Sequence, residues 1–408
     1  MNNNQELINF LNECTCSFTT IQKVTDILST NNFTKLELNS KWNIKPNNNY
    51  FTTLSDSSII AFKIPSNPKK MNIIISHSDT PSIKLKPNGI YETNNITQFN
   101  IMPYGGIINY SWLDHPLSLA GKITIEKNNQ IKEKIIDTKK PEMIIPSVAI
   151  HLQTDANTNL NLNSENHLQP IIDINIKNMN IQKFLNEPNL LDYELYAYSA
   201  FTPITIGTKN DILISPRIDN ITSVYASLKA FLKTTGNAIT IFASFNHEEI
   251  GSLTKEGADS TFFKDTIKRL CSSLNIDYYS LISNSIMLSS DNTHASHPNY
   301  KEYKDLTGNI SLGKGLAITF DKGTTTDLLL TSKWQKALSK NNIKYQYYTS
   351  RNDISGGSTI SNIITKHLSI PCIEIGIGEL AMHSSVEMCS IKDINYLFKA
   401  MQFFYLLT

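Results

Sequence analysis

Five places along this chain of 408 residues carry side chains of the kinds that ligate divalent metal ions. They are His77 with Asp79, Asp219, the adjacent pair Glu248 and Glu249, Asp291, and His383. Alone, a single His or Asp at a strand end is more often a cap, a turn residue or a satisfied hydrogen-bonder than a ligand. The glutamate pair carries more. In Phe245-Asn-His-Glu-Glu-Ile-Gly251 two carboxylates follow an apolar run and precede a glycine. Neighbouring carboxylates at a partly buried site repel one another, and cations relieve that repulsion most economically. An exposed pair opening a helix, favoured by its dipole, is the alternative. Together the five places offer two imidazoles and three carboxylates as ligands, with one glutamate to spare as a proton acceptor. That inventory suits a two-metal hydrolase, with one bridging carboxylate and a further His and carboxylate for each ion. Asp79, two residues beyond His77, lies on the same side of an extended strand and is expected to accept the imidazole N–H and fix its tautomer.

The elements that would position these groups alternate between strand and helix. Asn72–Ile75 is a short continuous apolar run, as expected of a strand buried on both faces, and it leads straight into His77. Further strands are expected at 57–64, 238–245, 285–289, 345–349 and 372–377. Helical spacing marks the N-terminal segment (Leu7, Phe10, Leu11, then Ile21, Val24, Ile27, Leu28), the run Val224–Leu232, and 326–341, 359–367 and 393–406. Alternation of this kind predicts an α/β fold: a three-layer αβα catalytic domain with a mostly parallel central sheet. Open α/β sheets place chemistry at the C-terminal edge of their strands. Between about residues 88 and 210 short β-type runs alternate with turns such as Tyr104-Gly-Gly106 and Glu187-Pro-Asn189. The catalytic domain is therefore expected to comprise residues 1–87 and 211–408, interrupted by a β-rich insertion at 88–210.

With 37 basic against 36 acidic residues the chain has a formal net charge of +1, which gives no basic excess for a nucleic-acid partner. The opening Met1–Glu6 is polar, and no stretch approaches the roughly 18 apolar residues of a membrane span, so a cytoplasmic protein is expected. The five cysteines are odd in number and scattered, which is not a disulfide framework. Cys14-Thr-Cys16 has the spacing to grip a metal but no further soft ligand close by in sequence.

At the residues singled out above, the chain resembles the aspartyl aminopeptidase and aminopeptidase I family of dinuclear zinc metallopeptidases. The matching segments run in order along nearly the whole length. They are Ser76-His-Ser-Asp-Thr-Pro-Ser-Ile-Lys-Leu-Lys-Pro87, Tyr104-Gly-Gly106, Trp112-Leu-Asp114, Ala149-Ile-His-Leu152 and Pro216-Arg-Ile-Asp-Asn220, followed by Asn246-His-Glu-Glu-Ile-Gly-Ser252. They continue with Ser290-Asp-Asn-Thr-His-Ala-Ser-His-Pro-Asn-Tyr300, Gly356-Gly-Ser-Thr-Ile360 and Ala381-Met-His-Ser-Ser-Val-Glu387. The resemblance implies an aminopeptidase that removes single N-terminal residues from free-amine peptides. It implies Asp219 as the bridge between two ions, normally zinc with cobalt or manganese as alternatives. His77 and Asp291 would complete one ion's shell, Glu249 and His383 the other's, and Glu248 would be general base and then acid. It also implies that the β-rich insertion makes a dimerisation domain, that His151 is lent to the neighbouring subunit's active site, and that dimers assemble into a tetrahedral dodecamer. A plain strand residue is the alternative for His151. His294 and His297, which follow Asp291, would contact substrate or hold their loop.

The chain departs from the family pattern in three places. A Ser/Pro-rich stretch ending in His is replaced by Cys14-Thr-Cys-Ser-Phe-Thr-Thr20, His115 stands where arginine is usual, and Leu316-Ala-Ile-Thr-Phe-Asp321 lacks the relatives' lysine. These places lie toward the substrate rather than the ions, so they leave a preference for acidic N-terminal residues open. Two other readings compete with the aminopeptidase: a non-catalytic assembly protein that keeps the fold, and an amidohydrolase of N-acyl amino acids.

Overall fold

Alternation along one strand sets the layering. In Met71–His77 every residue is buried; Ile73 and Ile75 join one apolar cluster and Ile74 joins the other. Successive side chains of a strand point to opposite faces, so both faces of this strand need cover. The computed structural model describes residues 3–354, 356, 357 and 359–407; Met1, Asn2 and Ser358, the last within the Gly356–Ile360 segment, lie outside the described residues. The principal strands of the central sheet are β1 (Asn49–Leu54), β2 (Ser58–Lys63), β3 (Met71–His77), β4 (Ile239–Phe245), β5 (Ile286–Ser290), β6 (Leu316–Thr319), β7 (Tyr345–Tyr348) and β8 (Cys372–Gly376). A two-residue strand, Thr34–Lys35, precedes them at the edge, and the order is then β1-β2-β4-β3-β5-β8-β6-β7. The middle pairings β4–β3, β3–β5 and β5–β8 are parallel, while β2–β4 and β8–β6 are antiparallel.

Helices cover both faces. On one side pack α1 (Asn3–Glu13), α2 (Ser17–Thr30) and α3 (Ile218–Lys233). On the other packs α4 (Phe262–Leu274), a helix the sequence reading did not anticipate. The first side also carries α5 (Leu328–Lys340) and α7 (Ile391–Tyr405), and the second carries α6 (Ile360–Leu368). The expected three-layer α/β architecture is therefore the observed one. Among the described residues no helix is long and apolar enough to cross a membrane.

Two further sheets complete the molecule. A seven-stranded sheet is built from strands between Ser82 and Ser199. Strand Leu190–Ser199 pairs with both Ser82–Thr93 and Pro116–Lys127, which closes the ring around a separate core containing Ile83, Leu119 and Leu195. The boundary read at residue 87 falls inside the strand Ser82–Thr93. Pro87 sits where the register to the next strand shifts between Leu85 and Ile90, a bulge that tolerates proline. The third sheet has five short strands: Ile204–Ile206, Ile212–Ser215, Glu387–Ser390, Gly378–Leu380 and Thr293–His294. It was not foreseen, because strands of two to four residues are too short for periodicity to register.

Because Ile74 is fully buried in the first of these cores, Ile74→Ala removes packed atoms and leaves a cavity. A loss of about 2–5 kcal/mol is expected in urea unfolding. A change below about 0.5 kcal/mol would contradict the assignment of this face to the core.

Candidate metal centre

Strand register brings three of the five places to one level. His77 pairs with Phe245 across β3–β4, so the Asn246–Gly251 turn leaves beside it. Ile75 pairs with Ser289 across β3–β5, which puts Asp291 opposite His77 at the same sheet edge. Across β5–β8, Ser290 pairs with Ile375. A Cβ on the following Gly376 would stand 1.8 Å from the Asp291 carbonyl oxygen, so only glycine fits this close approach. Asp219 arrives from the five-stranded sheet. Buried Arg217, in the left-handed region at φ 62°, turns the chain into α3 and donates to the carbonyls of Cys14 (2.8 Å) and Leu11 (3.1 Å). Cys14 and Cys16 are both buried, and burial pushes the Cys14 thiol up to about 12; neither joins a cluster of candidate ligands among the described residues.

The two imidazoles are oriented alike. His77 Nδ1 lies 3.1 Å from the backbone carbonyl of Asp79 and His383 Nδ1 lies 3.0 Å from that of Gly106. A carbonyl only accepts, so each Nδ1 carries a hydrogen, and it is Nε2 that would lose its proton to ligate a metal. His77 Nε2 faces Asp219 Oδ1 at 3.4 Å and Asp291 Oδ1 at 3.3 Å. His383 Nε2 faces Asp219 Oδ2 at 3.4 Å and Glu249 Oε2 at 3.5 Å. Asp219 thus turns one oxygen toward each imidazole. Two sets of ligand atoms, His77–Asp219–Asp291 and Asp219–Glu249–His383, each gather within 4.8 Å and share Asp219. Glu248 gathers at the same distance with His77 and Glu249.

Asp79 does more, and differently, than its spacing suggested. The nearer acceptor for His77 is its main-chain carbonyl; its Oδ1 lies 3.5 Å away. Its carboxylate accepts instead from the backbone N–H groups of Glu248 (Oδ1, 3.2 Å) and Glu249 (Oδ2, 3.2 Å) and from the Tyr104 hydroxyl (2.7 Å). Asp79 therefore fixes the turn that presents both glutamates. Burial works against its charge, but the contacts from His77 and Tyr104 hold its carboxyl below the usual range.

Glu387 plays a matching part that sequence reasoning missed. Its two oxygens accept from the backbone N–H groups of His383 (2.8 Å) and Asp219 (3.1 Å), so one buried carboxylate ties both segments together. Tyr104 and Glu387 lay in matched segments, but nothing in their spacing revealed these contacts. Asn292, in the matched segment Ser290–Tyr300, was likewise not singled out; its Nδ2 donates to Glu379 Oε2 and the Ile218 carbonyl, both at 2.9 Å.

The site is short of positive charge. Burial, then Asp291, Asp79 and Asp219 against the opposing pull of His77, raises Glu248 to about 8. Burial and Asp219 raise Glu249 well above its ordinary value. Asp219 Oδ1 and Glu249 Oε1 are buried and find no hydrogen-bond partner among the described residues. Orphaned carboxylate oxygens gathered around two imidazole Nε2 atoms are what a divalent cation would satisfy, and mixed imidazole and carboxylate ligands suit zinc, cobalt or manganese. The residues fit a metal.

The remaining histidines lie elsewhere. His294 and His297 line a cavity next to His383. His151 is exposed in the turn Ala149–Leu152, closed by a 2.8 Å hydrogen bond from the Leu152 N–H to the Ala149 carbonyl, rather than in a strand. Among the described residues no hydrogen bond or ion pair links it to the cluster. Its neighbours Val148, Ile150 and Leu152 are exposed apolar side chains.

A family model described as aminopeptidase I zinc metalloprotease (M18) matches residues 10–405. A probable M18 family aminopeptidase 2 of Clostridium acetobutylicum is 32% identical and the match covers 98% of each chain. Among solved structures, the cryo-EM structure of the Ape4 and Nbr1 complex contains a chain with TM-score 0.93 and 28% identity. That match covers 98% of this chain and 85% of that one. The S. cerevisiae mApe1 dodecamer superposes with TM-score 0.85 at 22% identity, over 98% of this chain and 97% of that one, a likeness of fold.

In the metal-free protein the pH dependence of stability follows from these groups. Burial raises Glu248 and Glu387 to about 8. His383 is opposed by burial, but Asp219 outweighs it and raises it to about 9. All three make the folded state hold more protons than the unfolded chain between about pH 5 and 9, so stability falls as pH rises through that window. Asp79, held low, acts only below about pH 4. Chelator-treated protein should melt at lower temperature at pH 9 than at pH 6, with the gap narrowing on zinc addition. Equal melting temperatures without metal would contradict the charge balance described.

Proposed function

The chain belongs to the M18 family of zinc metallo-aminopeptidases, and from that premise we propose that it hydrolyses the first peptide bond of free-amine peptides at a centre built by His77, Asp219, Glu249, Asp291 and His383. The observation that carries this reading is Asp219, whose two oxygens each stand 3.4 Å from a different imidazole Nε2. In it Asp219 would be shared by two divalent cations, zinc by preference with cobalt or manganese as substitutes; His77 and Asp291 would hold one, Glu249 and His383 the other. When bound, such ions lower the pKa of a water from about 15.7 toward about 7, polarise the scissile carbonyl and anchor the free amine.

The chain's own residues do the rest. Glu248 is the glutamate left over once both shells are filled, and its carboxylate, gathered with His77 and Glu249 within 4.8 Å, stands where a proton must be taken and returned. It takes the proton as the water oxygen bonds to the carbonyl carbon, and returns it to the leaving nitrogen as the C–N bond breaks. Asp79 holds Glu248 and Glu249 by their backbone amides, and Glu387 holds Asp219 and His383 by theirs. His294 and His297 face substrate from the adjoining cavity.

We assign the segment 88–210 to pairwise association and His151 to the partner's active site, supported by its exposed turn and apolar neighbours. A dodecamer built from six dimers is the assembly this reading takes from the S. cerevisiae neighbour.

Thorough chelation should abolish release of N-terminal residues, and zinc, cobalt or manganese should restore it. Glu248→Gln should lower kcat by about 10²-fold or more with metal content unchanged by atomic absorption, since the amide cannot take the proton. Near-normal turnover in that variant would remove Glu248 from the role. Mixed assemblies of inactive His151→Ala and Glu248→Gln subunits should regain activity, because each intact centre then receives a His151 from its neighbour. Mixtures as dead as their parents would place His151 outside the neighbour's reaction.

A further inference from the structure

Leu380, Ala381 and Met382 run directly into His383, and together they form one wall of a cavity of about 340 Å³ beside the metal centre. Tyr300, Tyr303, Tyr348 and Ile310 supply much of the rest. The rings fall into two contacting groups. Tyr348 and His294 meet edge to face at 6.2 Å, His297 and Tyr300 meet likewise at 4.8 Å, and Tyr303 continues the run 6.2 Å from Tyr300.

The charged groups around this lining are almost all engaged already. Arg351 Nε and Nη2 fork onto Asp353 at 2.8 and 2.5 Å, and Nη1 donates to the Glu302 carbonyl at 2.9 Å, so its charge is paired with Asp353 at an exposed position. The Asp305 carboxylate accepts from the backbone N–H groups of Thr307 and Gly308, both at 2.8 Å, and so closes its own loop. Glu379 Oε2 faces inward to Asn292. Lys304 is exposed at the rim, where water screens its attraction for an anion.

We propose that this cavity takes the side chain of the N-terminal residue and selects an aromatic or bulky apolar one over Asp or Glu, an inference that rests on the aminopeptidase reading and names its substrate class. An aromatic side chain entering it gains face and edge contacts with rings already oriented. A carboxylate entering it gives up water without gaining a buried, unengaged cation. The volume lies within the range of preformed small-ligand pockets.

The test is a series of dipeptides X-Ala, with X being Phe, Tyr, Leu, Ala, Asp or Glu, hydrolysed by the zinc-loaded full-length protein. Phe-, Tyr- and Leu-led peptides should exceed Asp- and Glu-led ones in kcat/KM by about tenfold or more. Tyr348→Ala, and independently the exposed Tyr300→Ala, should lower kcat/KM for Phe-Ala several-fold more than for Ala-Ala. Equal or better cleavage of Asp- and Glu-led peptides overturns the proposal, and loss of that preference in Lys304→Met would identify the cation responsible. Release from no peptide at all defeats the aminopeptidase reading instead. Calorimetric titration of Glu248→Gln with phenylalanine amide and aspartate amide separates the two failures, since tighter binding of the aromatic amide is expected whatever the turnover.

Discussion

Repulsion among buried carboxylates is the constraint around which this molecule is organised. Asp79, Asp219, Glu248, Glu249 and Asp291 converge on one pocket with two imidazoles as their only cationic neighbours among the contacts described. Two like charges 4 Å apart cost about 4 kcal/mol at an effective dielectric near 20. Several such pairs would exceed the whole stability of a typical domain, about 5–15 kcal/mol, unless protons or cations intervene. The raised proton affinities of Glu248 and Glu249 are the metal-free answer to that strain. Divalent ions are the answer that also does chemistry.

The fold supplies what such a site needs, which is rigidity gathered from distant parts of the chain. Parallel β3, β4 and β5 end at one edge and deliver His77, the glutamate pair and Asp291 on buried, two-sided strands. The five-stranded sheet brings Asp219 and His383 from the other side, and Glu387 ties their backbones together. Asp79 performs the same service for the glutamate pair. Both carboxylates act through the backbone, so they set where ligands stand without spending a ligand atom.

Much of this was legible in the residues and some was not. The apolar run ending at His77 announced a two-sided strand, and β3, β4, β5, β7, β8, α5, α6 and α7 lie within a few residues of where periodicity set them. The five-stranded sheet was invisible because its strands are too short to repeat a pattern. The Ser82–Thr93 strand was cut after residue 87 because the change to short runs and turns was read as a boundary, while the strand's continuity is defined only by its pairing with its partner. The ligand types could be inventoried from sequence, yet their convergence depends on register between strands more than 160 residues apart. The contacts of Asp79 show the same limit: spacing allowed a carboxylate–imidazole contact, and the turn geometry assigned the carboxylate to two backbone amides instead. His151 illustrates what a single chain leaves open, since its turn is exposed and the role proposed for it requires a neighbouring subunit.

The central claim is that Asp219 is shared between two cations. Anomalous diffraction from crystals of the zinc-loaded protein, recorded on both sides of the zinc absorption edge, measures this directly. The account predicts two peaks about 3–4 Å apart, one against His77 and Asp291, the other against Glu249 and His383, with Asp219 between them. A single peak, or two peaks that do not share Asp219, would contradict it.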